Sequence, residues 1–141
     1  MNLSSTQIKF VITQGFCNGY HSTQWYANNK LVWSSTCDQA LPAVLEFAIQ
    51  LPCIFKIVVA GKNMMTDTLL QDDKILADKF VEITEILLAG YPIKQSVLYN
   101  VCKYHSDDGK TFNSTYCHSN GVLEIEFHGT DPVEWHLLNN H

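Results

Sequence analysis

The sequence predicts an all-β fold, an antiparallel β-sandwich of the jelly-roll type with about eight to nine strands and little or no helix. Three observations support this prediction. Apolar and polar residues alternate with a period of two in several short segments, strand-like segments recur about every ten residues, and turn-forming residues separate them. We find no internal repeat, low-complexity stretch or linker, so residues 1–141 are interpreted as one domain.

The first half of the chain contains four clear strand signals. Residues 8–12 alternate in polarity, and residues 53–60 form a β-branched run without a helical stripe. Segments 24–26 and 31–33 flank Asn28-Asn29. Since adjacent asparagines tolerate positive φ, these two segments predict a tight hairpin.

Residues 42–51, with the sequence PAVLEFAIQL, fit two structures. Leu45, Phe47 and Ile49 alternate as in a strand, while Val44, Leu45, Ala48 and Ile49 also form a helical stripe. The regular strand spacing on both sides favours a strand.

The second half continues the same pattern around a turn at Asp107-Asp108-Gly109. The predicted strands there are 80–88, 97–104, 111–116, 122–127 and 133–138.

Composition limits the function. The chain has 9 basic and 14 acidic residues, a formal net charge of −5 and no basic run, so it lacks the electrostatic attraction that nucleic-acid binding needs. No apolar stretch is long enough to span a membrane, and the N-terminus does not resemble a secretory signal. We therefore expect neither nucleic acid nor membrane as a partner. With 16% charged residues, the surface is polar but weakly charged, which suits an assembled or glycan-facing protein.

The five cysteines, at positions 17, 37, 53, 102 and 117, are odd in number and contain no C-x-x-C pair. Free, mostly buried thiols in a reducing compartment are the favoured interpretation, with a Cys102–Cys117 bridge as a minor alternative. Cys102, His105, Cys117 and His118 are residue types that bind zinc. Their spacing on strands would direct them to different faces, so a zinc site is a minority hypothesis.

Six of the 14 acidic residues lie within the nineteen residues 67–85. Asp67, Asp72, Asp73 and Asp78 are the candidate metal ligands, because calcium takes several oxygen ligands from a flexible loop. The favoured alternative is a solvated loop in which these residues form local turns. We accordingly expect no cofactor, with calcium as the possible exception.

Trp25, Tyr26 and Trp33 surround the predicted Asn28-Asn29 turn and are the candidate ligand-binding residues. An outward ring there could stack on a sugar or fill a pocket in a partner protein, although core packing is the more common role of each. The sequence contains no nucleophile, phosphate-binding or dinucleotide motif, so we expect a protein that is not an enzyme.

Several short segments also resemble one known family. They are Tyr26–Val32, Gly61–Asn63, Asp67-Thr68, Lys74–Lys79, Glu82–Gly90, Asn120–Phe127 and Pro132–Leu137. Together they are similar to small β-sandwich structural proteins of tailed bacteriophages, which in turn resemble the calcium-dependent carbohydrate-binding modules of xylan-degrading enzymes. The resemblance implies a jelly-roll-like fold and a virion setting.

Three functional hypotheses follow. The first is a non-enzymatic structural protein of a phage virion, made in the host cytoplasm, which assembles with other virion proteins and forms a homo-oligomer or symmetric assembly. The second is a calcium-dependent carbohydrate-binding module used in host attachment, with a glycan as ligand. The third is an intracellular phage protein that captures a host-defence ligand or enzyme.

Overall fold

The computed structural model of the chain describes residues 5–63 and 65–140. Neither of the helices within these residues is long and apolar enough to cross a membrane. The elements, in chain order, are β1 (Thr6–Gly15), β2 (Ser22–Ala27), β3 (Lys30–Ser35), β4 (Val44–Ile49), β5 (Cys53–Ala60), β6 (Thr68–Gln71), β7 (Lys74–Asp78), β8 (Phe80–Leu88), β9 (Tyr91–Pro92), α1 (Gln95–Val101), β10 (Cys102–Ser106), β11 (Thr111–Asn113), β12 (Tyr116–Cys117), β13 (Gly121–Phe127) and α2 (Pro132–Asn139).

Two antiparallel sheets form the layers of a β-sandwich, which confirms the predicted fold class. The five-stranded sheet has the order β12-β8-β1-β4, with β9 paired to β8. The six-stranded sheet has the order β11-β10-β13-β5-β2-β3. Strands β6 and β7 form a separate two-stranded hairpin.

The core lies between the inner faces of these sheets. Phe10 on β1 contacts rings from both layers, with ring centroids 5.2 Å from Trp25 and 4.9 Å from Phe55 of the six-stranded sheet. Phe47 on β4 lies 6.2 Å from Phe10 within its own layer. These tilted and edge-to-face contacts are the favourable arrangements for aromatic rings. They join the two layers at one point.

The strands predicted with clear alternation are confirmed. Segments 8–12, 53–60, 80–88 and 122–127 lie within β1, β5, β8 and β13, and the ambiguous segment 42–51 contains β4. Asn28 and Asn29 adopt φ values of 49° and 68° between β2 and β3, as the predicted tight turn requires.

The predicted strand 97–104 is wrong over its first half. Residues 95–101 form α1, and the strand begins only at Cys102. Leu98 is fully buried, and Val97 and Val101 pack against the core. The positions 97, 98 and 101 share one helical face, so the helix can cover the end of the sandwich in a way that a strand could not.

The predicted strand 133–138 is also wrong, because these residues belong to α2. The Asp131 side chain accepts a hydrogen bond from the Val133 N–H at 2.9 Å, and Pro132 occupies the first turn. Both are standard helix-start signals. Trp135 anchors the helix by packing on Phe127, with ring centroids 5.2 Å apart.

The predicted strand 111–116 is divided between the two sheets. β11 pairs with β10 in the six-stranded sheet, whereas β12 pairs with β8 in the five-stranded sheet. The Ser114 hydroxyl accepts from the Tyr116 N–H at 3.0 Å and donates to the Tyr116 carbonyl at 2.9 Å. These local bonds hold the corner at which the chain changes layer.

Replacing Phe10 by alanine should remove a central set of the ring contacts that join the two layers. We expect a loss of about 3–5 kcal/mol in the free energy of unfolding, since a cavity remains in a packed core. Phe16→Ala is the matched control because Phe16 is 60% exposed, and it should change stability by less than about 1 kcal/mol. Equal losses in urea denaturation of the two variants would contradict this account of the core.

Candidate ligand-binding surface on the six-stranded sheet

The outer face of the six-stranded sheet carries a shallow depression, which we call the outer groove. Its volume is about 580 Å³, within the range of roughly 300–1,000 Å³ for small-molecule sites. Seven residues line it, namely Tyr26, Asn29, Lys56, Val58, His105, Val122 and Glu124.

Strand register explains why these side chains lie together. Tyr26 on β2 is paired with Lys56 on β5, and Lys56 with Glu124 on β13, so the three form one row across the sheet. Paired residues point to the same face. This row carries an aromatic ring, a cation and an anion side by side.

A second row runs parallel to the first, two residues further along the strands. Val58 on β5 pairs with Val122 on β13, and Val122 pairs with His105 on β10. Since the side-chain period of a strand is two, both rows face outward together. The outer groove therefore has an apolar floor bordered by hydrogen-bonding side chains.

The polar groups of the outer groove are only weakly engaged within the protein. Lys56 Nζ lies 4.0 Å from Glu124 Oε2, with both side chains partly exposed, which is a weak surface ion pair. The Tyr26 hydroxyl donates to Gln24 Oε1 at 3.2 Å, and His105 Nδ1 lies 3.1 Å from Thr111 Oγ1. These groups keep donor and acceptor capacity for a ligand.

Of the three predicted ligand-binding aromatics, Tyr26 alone lines the outer groove. Trp25 is fully buried, and its indole N–H donates to Thr23 Oγ1 at 2.9 Å; its assignment as a ligand residue is corrected to a core role. Trp33 pairs with Trp25 on edge strand β3 and packs, half-buried, against the core. Both tryptophans face inward because they occupy the same side of the β2–β3 hairpin.

The four acids predicted as metal ligands are not brought together. Asp72 and Asp73 form the exposed tip of the β6–β7 hairpin, with φ values of 52° and 64°. Asp67 and Asp78 lie at the opposite end, its base, where each forms an ion pair with a buried lysine. The predicted turn-forming role of these aspartates holds at the tip, within a hairpin that the sequence interpretation treated as a loop.

Asp67 is held by several donors at once. Its Oδ2 accepts from Lys79 Nζ at 2.8 Å and from the Asn63 N–H at 2.8 Å, while Oδ1 accepts from Asn18 Nδ2 at 3.3 Å. The Lys79 ammonium and the Asn63 amide hold the pKa of the Asp67 carboxyl far below its usual range. Asp67 is therefore ionised at neutral pH.

Asp78 is paired in a similar way. Its Oδ1 accepts from Lys62 Nζ at 2.6 Å and from Thr68 Oγ1 at 2.6 Å. Burial by itself would raise the pKa of Asp78, but the Lys62 ammonium and the Thr68 hydroxyl together lower it. The Lys62 ammonium also donates to the His118 carbonyl oxygen.

The fold places the two cysteines of the candidate zinc set in the core and His105 on the surface. Cys102 and Cys117 are fully buried and free, and burial raises the pKa of Cys102 to about 12 and that of Cys117 further. Both are thus protonated at neutral pH. His105, in contrast, lies on the outer groove. Within residues 5–63 and 65–140, no group of three metal-binding side chains converges.

No protein-family profile matches the chain, and no curated protein does. Two solved structures match it over most of their length. One is a selenomethionine form of vCBM60, from work on calcium-dependent carbohydrate-binding modules, at 14% identity and TM-score 0.54, covering 86% of this chain and 90% of that one. The other is vCBM60 in complex with galactobiose, at 14% identity and TM-score 0.53, covering 85% and 97%.

The chain has the fold of a carbohydrate-binding module. At 14% identity the likeness is one of fold, and it confirms the part of the sequence resemblance that concerned such modules. The bacteriophage part of that resemblance stays a prediction.

Calcium does not fit the predicted acids as they stand. Calcium takes six to eight oxygen ligands at about 2.3–2.6 Å. Asp67 and Asp78 direct oxygens at lysine ammonium groups 2.8 and 2.6 Å away, and these cations occupy the space that a bound ion would need. Asp72 and Asp73, at the hairpin tip, contribute nothing to this cluster.

His21 lies near both lysines and is buried, with 1% exposure. Because a carbonyl oxygen only accepts, its Nδ1–H donates to Ala60 O at 2.9 Å, while Nε2 has no partner among the described residues. Burial lowers the pKa of His21 from 6.5, and the nearby Lys62 and Lys79 charges add to this effect. The ring is therefore neutral in the folded protein at pH 7.

This makes stability depend on His21 in a defined pH window. The unfolded chain binds a proton at His21 below pH 6.5 more readily than the folded chain, so the free energy of unfolding should fall as pH decreases below that value. Urea denaturation between pH 5 and 8 measures this slope. His21→Gln should flatten it, whereas His128→Gln should not, since the His128 side chain is 80% exposed. A wild-type profile that is already flat would refute the assignment.

Sequence reasoning missed most of the outer groove. Lys56, Val58, Val122 and Glu124 lie on correctly predicted strands, whereas His105 lies on β10, one residue beyond the predicted segment 97–104. Their outward direction follows from alternation. Their proximity depends on which strands are neighbours, and no local signal in the sequence reports that.

Proposed function

We propose that this protein binds carbohydrate non-covalently through the outer groove. The observation that carries the proposal is the pair of side-chain rows, one with Tyr26 and charged groups and one with valines and His105, on a fold shared with vCBM60. Sugars present apolar C–H faces and hydroxyl groups on the same molecule. A surface that alternates apolar floor and polar border matches both features.

The chemistry of each group supports the proposal. The Tyr26 ring offers a surface for a sugar face, and Val58 and Val122 offer an apolar floor. Asn29 and His105 can donate and accept hydrogen bonds, Lys56 donates, and Glu124 accepts. The depression is open and crosses four strands, β2, β5, β13 and β10. Such a shape favours an extended oligosaccharide over an enclosed monosaccharide.

The proposal assigns no catalysis to this surface. Glycoside hydrolysis uses two carboxyl groups on either side of the scissile bond. Glu124 is the acid that lines the outer groove in the described part of the chain, and it is paired with Lys56. Binding alone matches this set of side chains.

Tyr26→Ala should abolish or strongly reduce retention on a glycan. We expect at least a tenfold loss in affinity, because truncating an aromatic anchor commonly costs about 2 kcal/mol or more. Galactobiose-containing oligosaccharides are the first probe, since vCBM60 was crystallised with galactobiose, followed by a glycan array. Affinity electrophoresis or calorimetry measures the change.

The matched control is Tyr99→Ala, because Tyr99 is 51% exposed on α1 and does not line the outer groove. It should leave glycan affinity unchanged, and melting curves should show both variants folded. A wild-type protein that binds nothing on a broad array, or a Tyr99→Ala effect equal to that of Tyr26→Ala, would reject the proposal.

A second candidate function is assembly with further copies of the chain, which the β6–β7 hairpin favours. Four aliphatic side chains there are each more than half exposed, namely Leu69, Leu70, Ile75 and Leu76. Among the residues that the structure describes, β6 and β7 pair only with each other, so each keeps a free backbone edge. Such edges favour pairing with another strand. The negative charges of Asp72 and Asp73 at the tip disfavour contact with a lipid surface. We propose that a second copy of the chain binds to the exposed face and edges of this hairpin.

A structural role in a virion would require such assembly. That role, and synthesis of the protein in a host cytoplasm, stay predictions. Replacing both Leu70 and Ile75 by aspartate should convert an oligomer into a monomer in sedimentation velocity. Leu31→Asp, at a residue 50% exposed outside the hairpin, should leave the oligomer intact. A wild-type protein that is monomeric at all concentrations would exclude this function.

A further inference from the structure

Two buried lysines occupy the base of the β6–β7 hairpin, beside Asp67 and Asp78, two of the four candidate calcium ligands. We infer that the ammonium groups of Lys62 and Lys79 supply the positive charge that a bound calcium ion would otherwise supply to Asp67 and Asp78. The protein therefore does not depend on calcium. The inference concerns this chain's own residues and differs from what the fold likeness to calcium-dependent modules suggests.

Lys79 bridges three segments. Its Nζ contacts Asp67 Oδ2 at 2.8 Å and donates to the Gly61 carbonyl at 3.1 Å. The Asp67 backbone carbonyl in turn accepts from the Lys79 N–H at 3.1 Å. An ammonium that contacts a carboxylate and a carbonyl oxygen has the kind of oxygen neighbours that a hard cation prefers.

Lys62 repeats the arrangement on the other side of the hairpin base. Its Nζ contacts Asp78 Oδ1 at 2.6 Å and donates to the His118 carbonyl. Its backbone N–H donates to Asn120 Oδ1 at 2.9 Å. This lysine therefore connects the end of β5 to the hairpin and to the loop before β13.

Because the four side chains are buried, each charge would be costly without its partner. Lys62 and Lys79 are 1% and 3% exposed at the side chain, and Asp78 and Asp67 are 12% and 6% exposed. A charge so far from water is tolerated only when it is paired and hydrogen-bonded. Two carboxylates and two ammonium groups leave the cluster neutral.

A calcium ion would disturb this balance. Added beside both lysines, it would bring two further positive charges into a neutral, water-poor cluster. To replace a lysine, it would compete with an ammonium that is covalently tethered at its site and therefore present at high effective concentration. His21, kept neutral by burial, adds no further charge to the cluster.

Calcium dependence of the intact protein gives the first test. The melting temperature should be the same in EDTA and in millimolar calcium chloride at constant ionic strength, and calorimetry should show no saturable calcium binding. A melting temperature that rises with calcium and saturates would overturn the inference. Any glycan retention found for the wild-type protein should persist in EDTA, and retention that requires calcium would overturn it as well.

This test is separable from the proposed function. A protein that binds no glycan under any condition rejects carbohydrate binding, while the two melting temperatures still decide the role of the lysines. Conversely, glycan binding that persists in EDTA supports both carbohydrate binding and independence from calcium.

A double-mutant cycle gives the second test. Lys79→Met should lower the melting temperature by roughly 10 °C or more, because it leaves a buried carboxylate without its cation. Adding Asp67→Asn to Lys79→Met should recover a large part of this loss. Lys74→Met at the exposed hairpin tip is the matched control and should change the melting temperature little. Strictly additive effects of Lys79→Met and Asp67→Asn would overturn the inference.

Discussion

The packing of two inner sheet faces around Phe10 is the constraint on which the other features depend. Phe10 contacts Trp25 and Phe55 across the interface between layers, and the buried residues form one continuous cluster. Once alternate residues of a strand are committed to this core, the intervening residues must face outward. The outer groove is the consequence, because Tyr26 and Lys56 follow directly after Trp25 and Phe55 in the sequence. A register shift of one residue would bury the groove and expose the core.

The end of the sandwich at the base of the β6–β7 hairpin follows a different principle. There the chain leaves the sheets, and apolar burial gives way to buried ion pairs at Asp67–Lys79 and Asp78–Lys62. Such pairs add little net stability compared with apolar packing, but removing one partner is costly because the other stays charged and desolvated. They therefore hold the base of the β6–β7 hairpin in one arrangement. They fix the position of the hairpin base although, in the described part of the chain, its strands are hydrogen-bonded to neither sheet.

Local signals predicted most of the fold and failed where two structures share one pattern. Residues 97–101 contain apolar positions compatible with either a strand or a helix. The helix forms because it buries Leu98 against the end of the sandwich. At 131–138 the signal was present, since Asp131 and Pro132 are residues that begin helices. The regular strand rhythm outweighed that signal in the sequence interpretation, and the structure shows that the capping residues were the better evidence.

For this protein, the sequence by itself determined the β-sandwich class, the turn at Asn28-Asn29 and the inward or outward direction of most strand residues, because alternation and turn propensity are local properties. Only the tertiary structure decided which outward side chains are neighbours, how Trp25 and Tyr26 divide between core and surface, and that Asp67 and Asp78 face lysines. Each of these depends on contacts between residues distant in sequence. Such contacts are selected by the packing of the whole sandwich, and no short segment encodes them.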